Sequence, residues 1–280
     1  MTEEQKREEC AFCCPICGRA LRREGRSLRC EANHSFDIAA QGYVHLLPAN
    51  KKHSALPGDD KQMVAARRDF LEAGWYQPFS DRLNQLVAGF LRPEDRPLLL
   101  DAGCGEGYYT GRLAAALDPR VRIAAFDISK SAVQAAAKRY PRVSFAVASA
   151  FSVPVADGAV DCLVNVFAPM AQREFLRVLR RGGRVIYAVP GARHLFGLKQ
   201  VLYEKPYENP VRDVEYPGFR FLERVPVRAD CSLSSAKEIR ALFAMTPYYW
   251  KTPREGAQRL FALERLETEI AFDFLVYEKI

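Results

Sequence analysis

Hydrophobic and polar positions follow two periods that alternate along most of the chain. The stretches at roughly 60–73 and 77–91 space their apolar residues at i, i+3 and i+4 and predict two helices separated by Gly74. From Pro97 onward the period switches repeatedly. Apolar runs rich in Leu, Val and Ile at 97–100, 121–126, 143–147, 160–166 and 184–189 predict buried strands, and 108–117, 130–139 and 171–179 predict helices. Strands alternating with helices of that length imply a parallel sheet covered on both faces, hence an α/β fold. Residues 266–277 alternate well enough for one or two closing strands, whereas 196–235 gives no regular pattern. The polar, turn-rich stretch around 49–60 reads as a linker, dividing a small module at 1–50 from a large domain at 51–280.

Composition narrows the class. Of the 280 residues, 49% are hydrophobic and 27% charged, so the chain is globular rather than disordered. No apolar run approaches the roughly 18 residues needed to span a bilayer, and the opening MTEEQKREEC has no leader core, so a cytoplasmic location is expected. Lys and Arg number 41 against 34 Asp and Glu, and the net charge of +7 suits a nucleic-acid partner without proving one.

Five of the eight cysteines fall within the first thirty residues. Cys14, Cys17, Cys30 and His34 are spaced C-x2-C-x12-C-x3-H. Three thiolates and an imidazole complete a tetrahedral shell, so the pattern predicts one structural Zn2+ with no position left for a catalytic water. Cys10 and Cys13 repeat the Cys-x2-Cys spacing but lack the following glycine, and they read as bystanders. Arg22, Arg23, Arg26 and Arg29 lie between the ligand pairs. They are either a solvated face or a basic knob for phosphates.

The first strand of the large domain runs into Asp101-Ala-Gly103-Cys-Gly105-Glu106-Gly107. Glycines at a strand-to-helix turn let a ligand approach bare backbone amides, and a dinucleotide site is the first competitor. Two details favour S-adenosylmethionine. Asp101 and Glu106 would repel a pyrophosphate but tolerate a donor bearing sulfonium and ammonium charges. Asp127 ends the second strand 26 positions after Asp101, where a carboxylate accepts ribose hydroxyls. Asn165 and Phe167, after the fourth strand, are candidates to hold the acceptor, although Phe167 serves equally well as a core residue. Cys104 reads as a small side chain packed behind the cofactor.

Several segments together resemble one family, the bacterial 23S ribosomal RNA guanine-N1 methyltransferases. They are Cys14-Pro-Ile-Cys17 with Cys30-x3-His34, Phe36-Asp-Ile-Ala-x-x-Gly-Tyr-Val-x-Leu-Leu-Pro48, Pro57-Gly-Asp, Ala66-Arg-Arg-x-Phe-Leu-x-Ala-Gly-x-Tyr-Gln-Pro78, the glycine loop through Thr110, Ala135-Ala-Ala-Lys-Arg-Tyr-Pro141, Pro190-Gly-Ala-Arg-His-Leu195 and Met245-Thr-Pro247. The resemblance implies a Rossmann-like methyltransferase domain behind an N-terminal zinc-binding domain, a homodimer, and a target guanine in a hairpin of the large-subunit RNA. It also implies donor contacts from Tyr76, Gly105, Glu106 and His194, beside Asp101, Gly103 and Asp127 from the loop reading. Whether the modification serves ribosome maturation or protection against an antibiotic stays open.

On this reading guanine N1 attacks the sulfonium methyl in line, and the enzyme supplies orientation and a dry site. Phe167 and the Tyr248-Tyr249-Trp250 run are candidates for base stacking. Arg22, Arg23, Arg26, Arg29, Lys51, Lys52, Arg67 and Arg68 would face the RNA backbone. A methyltransferase for a small molecule or protein, with the zinc module as a lid, is the alternative. A binding module that has lost catalysis fits less well, because the glycine loop and Asp127 are intact.

Overall fold

The N-terminal cysteines sit on a small antiparallel sheet. In this computed structural model, which describes residues 9–48, 61–212 and 214–280, strands β1 (Glu9–Cys13), β2 (Ala20–Glu24), β3 (Ser27–Arg29) and β4 (Ser35–Asp37) pair in sequence order. Four short strands bury too little apolar surface to stand alone. Phe12, Leu21 and Leu28 therefore join a core shared with Val153, Val155 and Phe175 of the large domain. The Cys13 amide also donates to the Pro154 carbonyl at 2.7 Å.

The apolar runs assemble into an eight-stranded sheet. Strand β5 (Tyr43–His45) lies at one edge, parallel to β8 (Ser144–Val147). Next come β7 (Arg122–Asp127), β6 (Leu98–Ala102), β9 (Val160–Val166) and β10 (Leu179–Pro190), all parallel. The last two, β12 (Leu266–Lys279) and β11 (Phe219–Leu233), form an antiparallel pair at the far edge, with β12 antiparallel to β10. Strand β6 shows why the runs are almost wholly apolar. Leu98, Leu100 and Ala102 enter the core on one face and Leu99 enters the core on the other.

Helices α1 (Lys61–Glu72), α2 (Gln77–Phe90), α3 (Tyr108–Ala116), α4 (Lys130–Arg139) and α5 (Gln172–Val178) follow the expected spans closely. The chain winds outward from β6 in both directions, through β7 and β8 on one side and β9 and β10 on the other. A parallel sheet opens a crevice at such a reversal, beyond the carboxyl ends of the strands. That crevice holds the site.

The stretch without a regular pattern holds two elements among its described residues. It contains α6 (Phe196–Leu202) and the 15-residue β11. From Val225 to Leu233 strand β11 does alternate, with Val225, Val227, Cys231 and Leu233 buried and Pro226, Arg228, Asp230 and Ser232 exposed, but the register shifts between Phe221 and Glu223 and the alternation is lost over Phe219–Arg224. An edge tolerates proline because one side of the strand needs no ladder donors. Helices α7 (Ala236–Ala244), α8 (Tyr248–Lys251) and α9 (Arg254–Phe261) separate β11 from β12. Among the described residues no helix is long and apolar enough to cross a membrane.

Candidate functional site: a donor cavity and a four-donor metal cluster

A cavity of about 910 Å³ opens where the sheet reverses, lined by the loops after β6 and β9 and by residues of α1, α8 and β12. The glycine loop shapes its floor. Gly103, Gly105 and Gly107 all have positive φ (87°, 56° and 84°). A Cβ on Gly103 would come within 2.4 Å of the Ala168 Cβ, so glycine is what lets the two loops meet. The Gly105 amide donates to Asp127 Oδ2 at 3.0 Å and the Ser129 amide donates to Oδ1 at 2.8 Å. Asp127 lines the cavity, where a carboxylate can accept from hydroxyl donors.

Asp101 and Glu106 take different places. Asp101 is buried beneath the loop, accepts a hydrogen bond from the Thr110 hydroxyl at 2.5 Å, and does not line the cavity. Burial pushes its carboxyl up to about 7, reinforced by the charges of Asp127 and Glu106. Glu106 lines the cavity. Its pKa is also raised by burial, while the nearby Arg67 guanidinium pulls the other way.

An aromatic wall faces the loop. Tyr76 is buried, its ring packing edge-on against Phe70 at 5.4 Å and Phe272 at 5.0 Å. His194 packs on Phe272 at 4.2 Å, and its Nδ1 accepts the Ala271 amide at 3.4 Å. That bond leaves the ring proton of the neutral imidazole on Nε2. Burial, with Lys199 and Arg228 nearby, pulls the His194 pKa down to about 3.

The two acceptor-side candidates divide. Asn165 is fully buried and outside the lining, where its Nδ2 donates to the Pro169 carbonyl at 3.1 Å and its Oδ1 accepts the Ala168 amide at 3.2 Å. It braces the loop that presents Phe167. Phe167 lies in that loop at φ 58°, lines the cavity, stacks on Phe79 at 5.7 Å and stays 46% exposed. A non-glycine residue in the left-handed region costs about 1 kcal/mol or more, and it persists because the surrounding contacts hold it there. Cys104 is a small buried side chain in the lining, its thiol pushed well above the ordinary range by burial.

In the N-terminal ribbon, one donor atom each from Cys14, Cys17, Cys30 and His34 lies within 4.8 Å of all the others. The Cys17–Cys30 sulfurs are 3.7 Å apart, and His34 Nδ1 lies 3.5 Å from Cys14 Sγ and 3.4 Å from Cys30 Sγ. With bonds of about 2.3 Å to sulfur and 2.0–2.1 Å to nitrogen, a zinc tetrahedron has edges of about 3.8 and 3.5 Å. These three separations match those edges. Gly18 at φ 75° turns the chain after the first pair, and Asn33 at φ 60° does so before His34. Cys10 and Cys13 lie on β1, outside this set.

The basic candidates also separate. Arg22, Arg23, Arg26 and Arg29 are exposed on the ribbon, Arg22 within 3.6 Å of Glu31 and Arg29 within 3.5 Å of Glu24. Arg68 is exposed beside Asp69, whereas Arg67, one position earlier, turns into the cavity. Lys51 and Lys52 lie outside the described residues. Sequence reasoning did not place Arg67, Met63 or Leu71 in the site. Their i, i+4, i+8 spacing on α1 carried the signal, because it puts all three on one helix face.

Comparison with known proteins agrees with this geometry. A zinc-ribbon family model described as "RlmA, N-terminal" matches residues 12–55, and a "Methyltransferase domain" model matches residues 99–183. A Micromonospora griseorubida protein named "Putative 23S rRNA (guanine-N(1)-)-methyltransferase" is 43% identical over 92% of this chain and 93% of its own. The Streptomyces fradiae "23S rRNA (guanine(748)-N(1))-methyltransferase" is 34% identical over 94% of this chain and 95% of its own. The chain belongs to the 23S rRNA (guanine-N1)-methyltransferase family. Among solved structures, "a Putative Type II Methyltransferase from Anaeromyxobacter dehalogenans" superposes with a TM-score of 0.51 at 21% identity, covering 70% of this chain and 94% of that one, which supports the fold.

The family's two cofactors are S-adenosylmethionine and a structural zinc, and both fit. The thiolate–imidazole donor set and its edge lengths suit zinc. The glycine turn at positive φ and the Asp127 carboxylate, both lining the cavity at the end of the strands, suit an adenosyl donor.

Proposed function

We propose that this protein methylates N1 of a guanine in a hairpin loop of 23S ribosomal RNA. What supports the reading most directly is one chain that joins a four-donor ribbon to an adenosyl-type cavity and aligns nearly end to end with relatives bearing that name. S-adenosylmethionine, when bound, supplies an electrophilic methyl group on its sulfonium. Residues of this chain do the rest. Asp127 would accept the ribose hydroxyls, while Glu106 and the glycine-loop backbone would orient the methionyl end. Tyr76, His194 and Phe272 exclude water from the reaction centre.

The acceptor enters from the side of Phe167. That ring, exposed at the cavity and backed by Phe79, offers a stacking face to an extruded guanine. Transfer would form a C–N bond at N1 as the donor's C–S bond breaks, and it requires loss of the N1 proton, since neutral N1–H has no free lone pair to attack with. The exposed arginines of the ribbon, Arg22, Arg23, Arg26 and Arg29, together with Arg68, would neutralise hairpin phosphates. The S. fradiae relative's name specifies guanine 748, and we take the same hairpin as the target. The family resemblance adds a homodimer, and we place the protein in the cytoplasm with its RNA substrate.

The test is labelled methyl transfer from S-adenosylmethionine to unmodified large-subunit RNA, with nucleoside digestion and reverse-transcription mapping. We expect N1-methylguanosine at a single hairpin guanine. Donor binding without transfer to RNA, naked or in particles, would move a small molecule or protein into the acceptor's place.

A further inference from the structure

We propose that Arg67 holds the carboxylate of the methionyl end of the methyl donor, and so belongs to the donor site rather than to the RNA surface. The inference rests on the S-adenosylmethionine reading of the cavity and asks which group answers each of the donor's charges.

The donor brings a sulfonium, an ammonium and a carboxylate. Among the described residues lining the cavity, Glu106 and Asp127 are the acidic groups and Arg67 is the one lysine or arginine. His194 lines the cavity too, but it is the neutral form that fits its buried position. A carboxylate entering such a site would meet two like charges unless a cation lay beside it, and an unpaired charge removed from water is costly. Arg67 is placed to meet it. Its Nη1 lies 3.8 Å from where a Cβ on Gly105 would stand, so the guanidinium lies against the glycine loop at the cavity.

The helix makes the placement firm. Met63, Arg67 and Leu71 recur every four residues along α1, and all three line the cavity. Arg68 is rotated about 100° from them by the helical step and points outward to Asp69 at 3.1 Å. Glu106, which lines the same cavity, attracts the Arg67 guanidinium and helps keep it inside. A guanidinium can grip a carboxylate with two parallel N–H donors, which a lysine cannot do.

The experiment compares two ligands by isothermal titration calorimetry on the full chain. S-adenosylhomocysteine carries the amino-acid end, and 5′-methylthioadenosine lacks it. We expect Arg67→Ala to weaken S-adenosylhomocysteine by at least about tenfold and to leave 5′-methylthioadenosine within about twofold. Arg67→Lys should recover part of the loss, and Arg68→Ala should change neither ligand. Equal losses for both ligands, or no loss for either, would overturn the assignment. Should Arg67→Ala not fold, wild-type protein titrated with decarboxylated S-adenosylhomocysteine decides the matter. Binding at least about tenfold weaker than that of the parent ligand is expected, and equal binding overturns the proposal. Failure of wild-type protein to bind S-adenosylhomocysteine at all would sink the cofactor reading itself, a result distinct from either outcome for Arg67.

Discussion

The Gly105 amide donates to the Asp127 carboxylate at 3.0 Å, so the loop after β6 and the end of β7 form one unit. The Gly103 and Cys104 amides strengthen it by donating to the Phe126 carbonyl at 2.8 and 3.0 Å. Asp127 therefore has two tasks. It shapes the cradle through backbone amides, and it faces the cavity.

Asp127→Ala should lower S-adenosylhomocysteine affinity by about 10- to 100-fold, since it removes a charged acceptor from both the loop and the ligand. Affinity for a hairpin RNA should change little. Calorimetry for the nucleoside ligand and fluorescence anisotropy for the RNA would read the two separately. A parallel fall in both would mean that Asp127 mainly holds the fold.

Zinc content separates the four converging donors from their neighbours. Wild-type protein, Cys10→Ser and Cys13→Ser should each carry one zinc per chain by elemental analysis. Cys17→Ser should carry none, and amide exchange should accelerate across β1 to β4. Structural zinc contributes on the order of 10 kcal/mol to modules of this size, so the ribbon should not stay ordered without it. A zinc-free Cys13→Ser would place that sulfur in the shell.

The ribbon arginines predict a salt effect. Arg22→Ala with Arg23→Ala should weaken RNA binding and lower the slope of log affinity against log salt by about 1 to 2. Donor affinity should not move. Stability should fall by less than about 1 kcal/mol, because the Arg22–Glu31 pair is exposed at 3.6 Å. An unchanged slope would show that these side chains are a solvated face.

His194 predicts a pH dependence of folding. Its folded pKa is pulled down to about 3, first by burial and then by Lys199 and Arg228, against 6.5 when unfolded. Between those values the unfolded chain binds a proton that the folded chain refuses. Stability is thus full above pH 6.5 and falls as the pH drops towards 3. At pH 5 the His194 contribution is a loss of about 2 kcal/mol relative to pH 7. Denaturant titrations of wild type and His194→Gln at the two pH values should differ by that amount. A difference between the proteins that stays constant with pH would place the imidazole in contact with water.

Much of this molecule was legible in the order of its residues. Cys-x2-Cys and Cys-x3-His work over a few residues, because a short turn alone can aim two donors at one point. Asp101 through Gly107 is equally local, since a strand, a glycine turn and a helix start make the cradle. The alternating runs from Pro97 onward identified a sheet buried on both faces, because a strand covered twice has no need of a polar side.

The tertiary structure decided what depends on contacts between distant segments. Strand β11 went unread because its alternation holds only from Val225 to Leu233 with Pro226 inside it, and only the pairing with β12 shows that this proline stands at a sheet edge. Asn165 and Phe167, two residues apart, point to different tasks only once Asn165 is seen bracing the loop that holds Phe167 in the cavity. The adjacent Arg67 and Arg68 form one basic pair in sequence, yet a single helical step sends the first to the glycine loop and the second to solvent. Spacing along the chain determines which residues share a helix face or a turn. Only the packing of α1 against the crevice determines which of those faces meets the donor, because a side chain's charge acts over the few ångströms that folding, and not sequence, brings together.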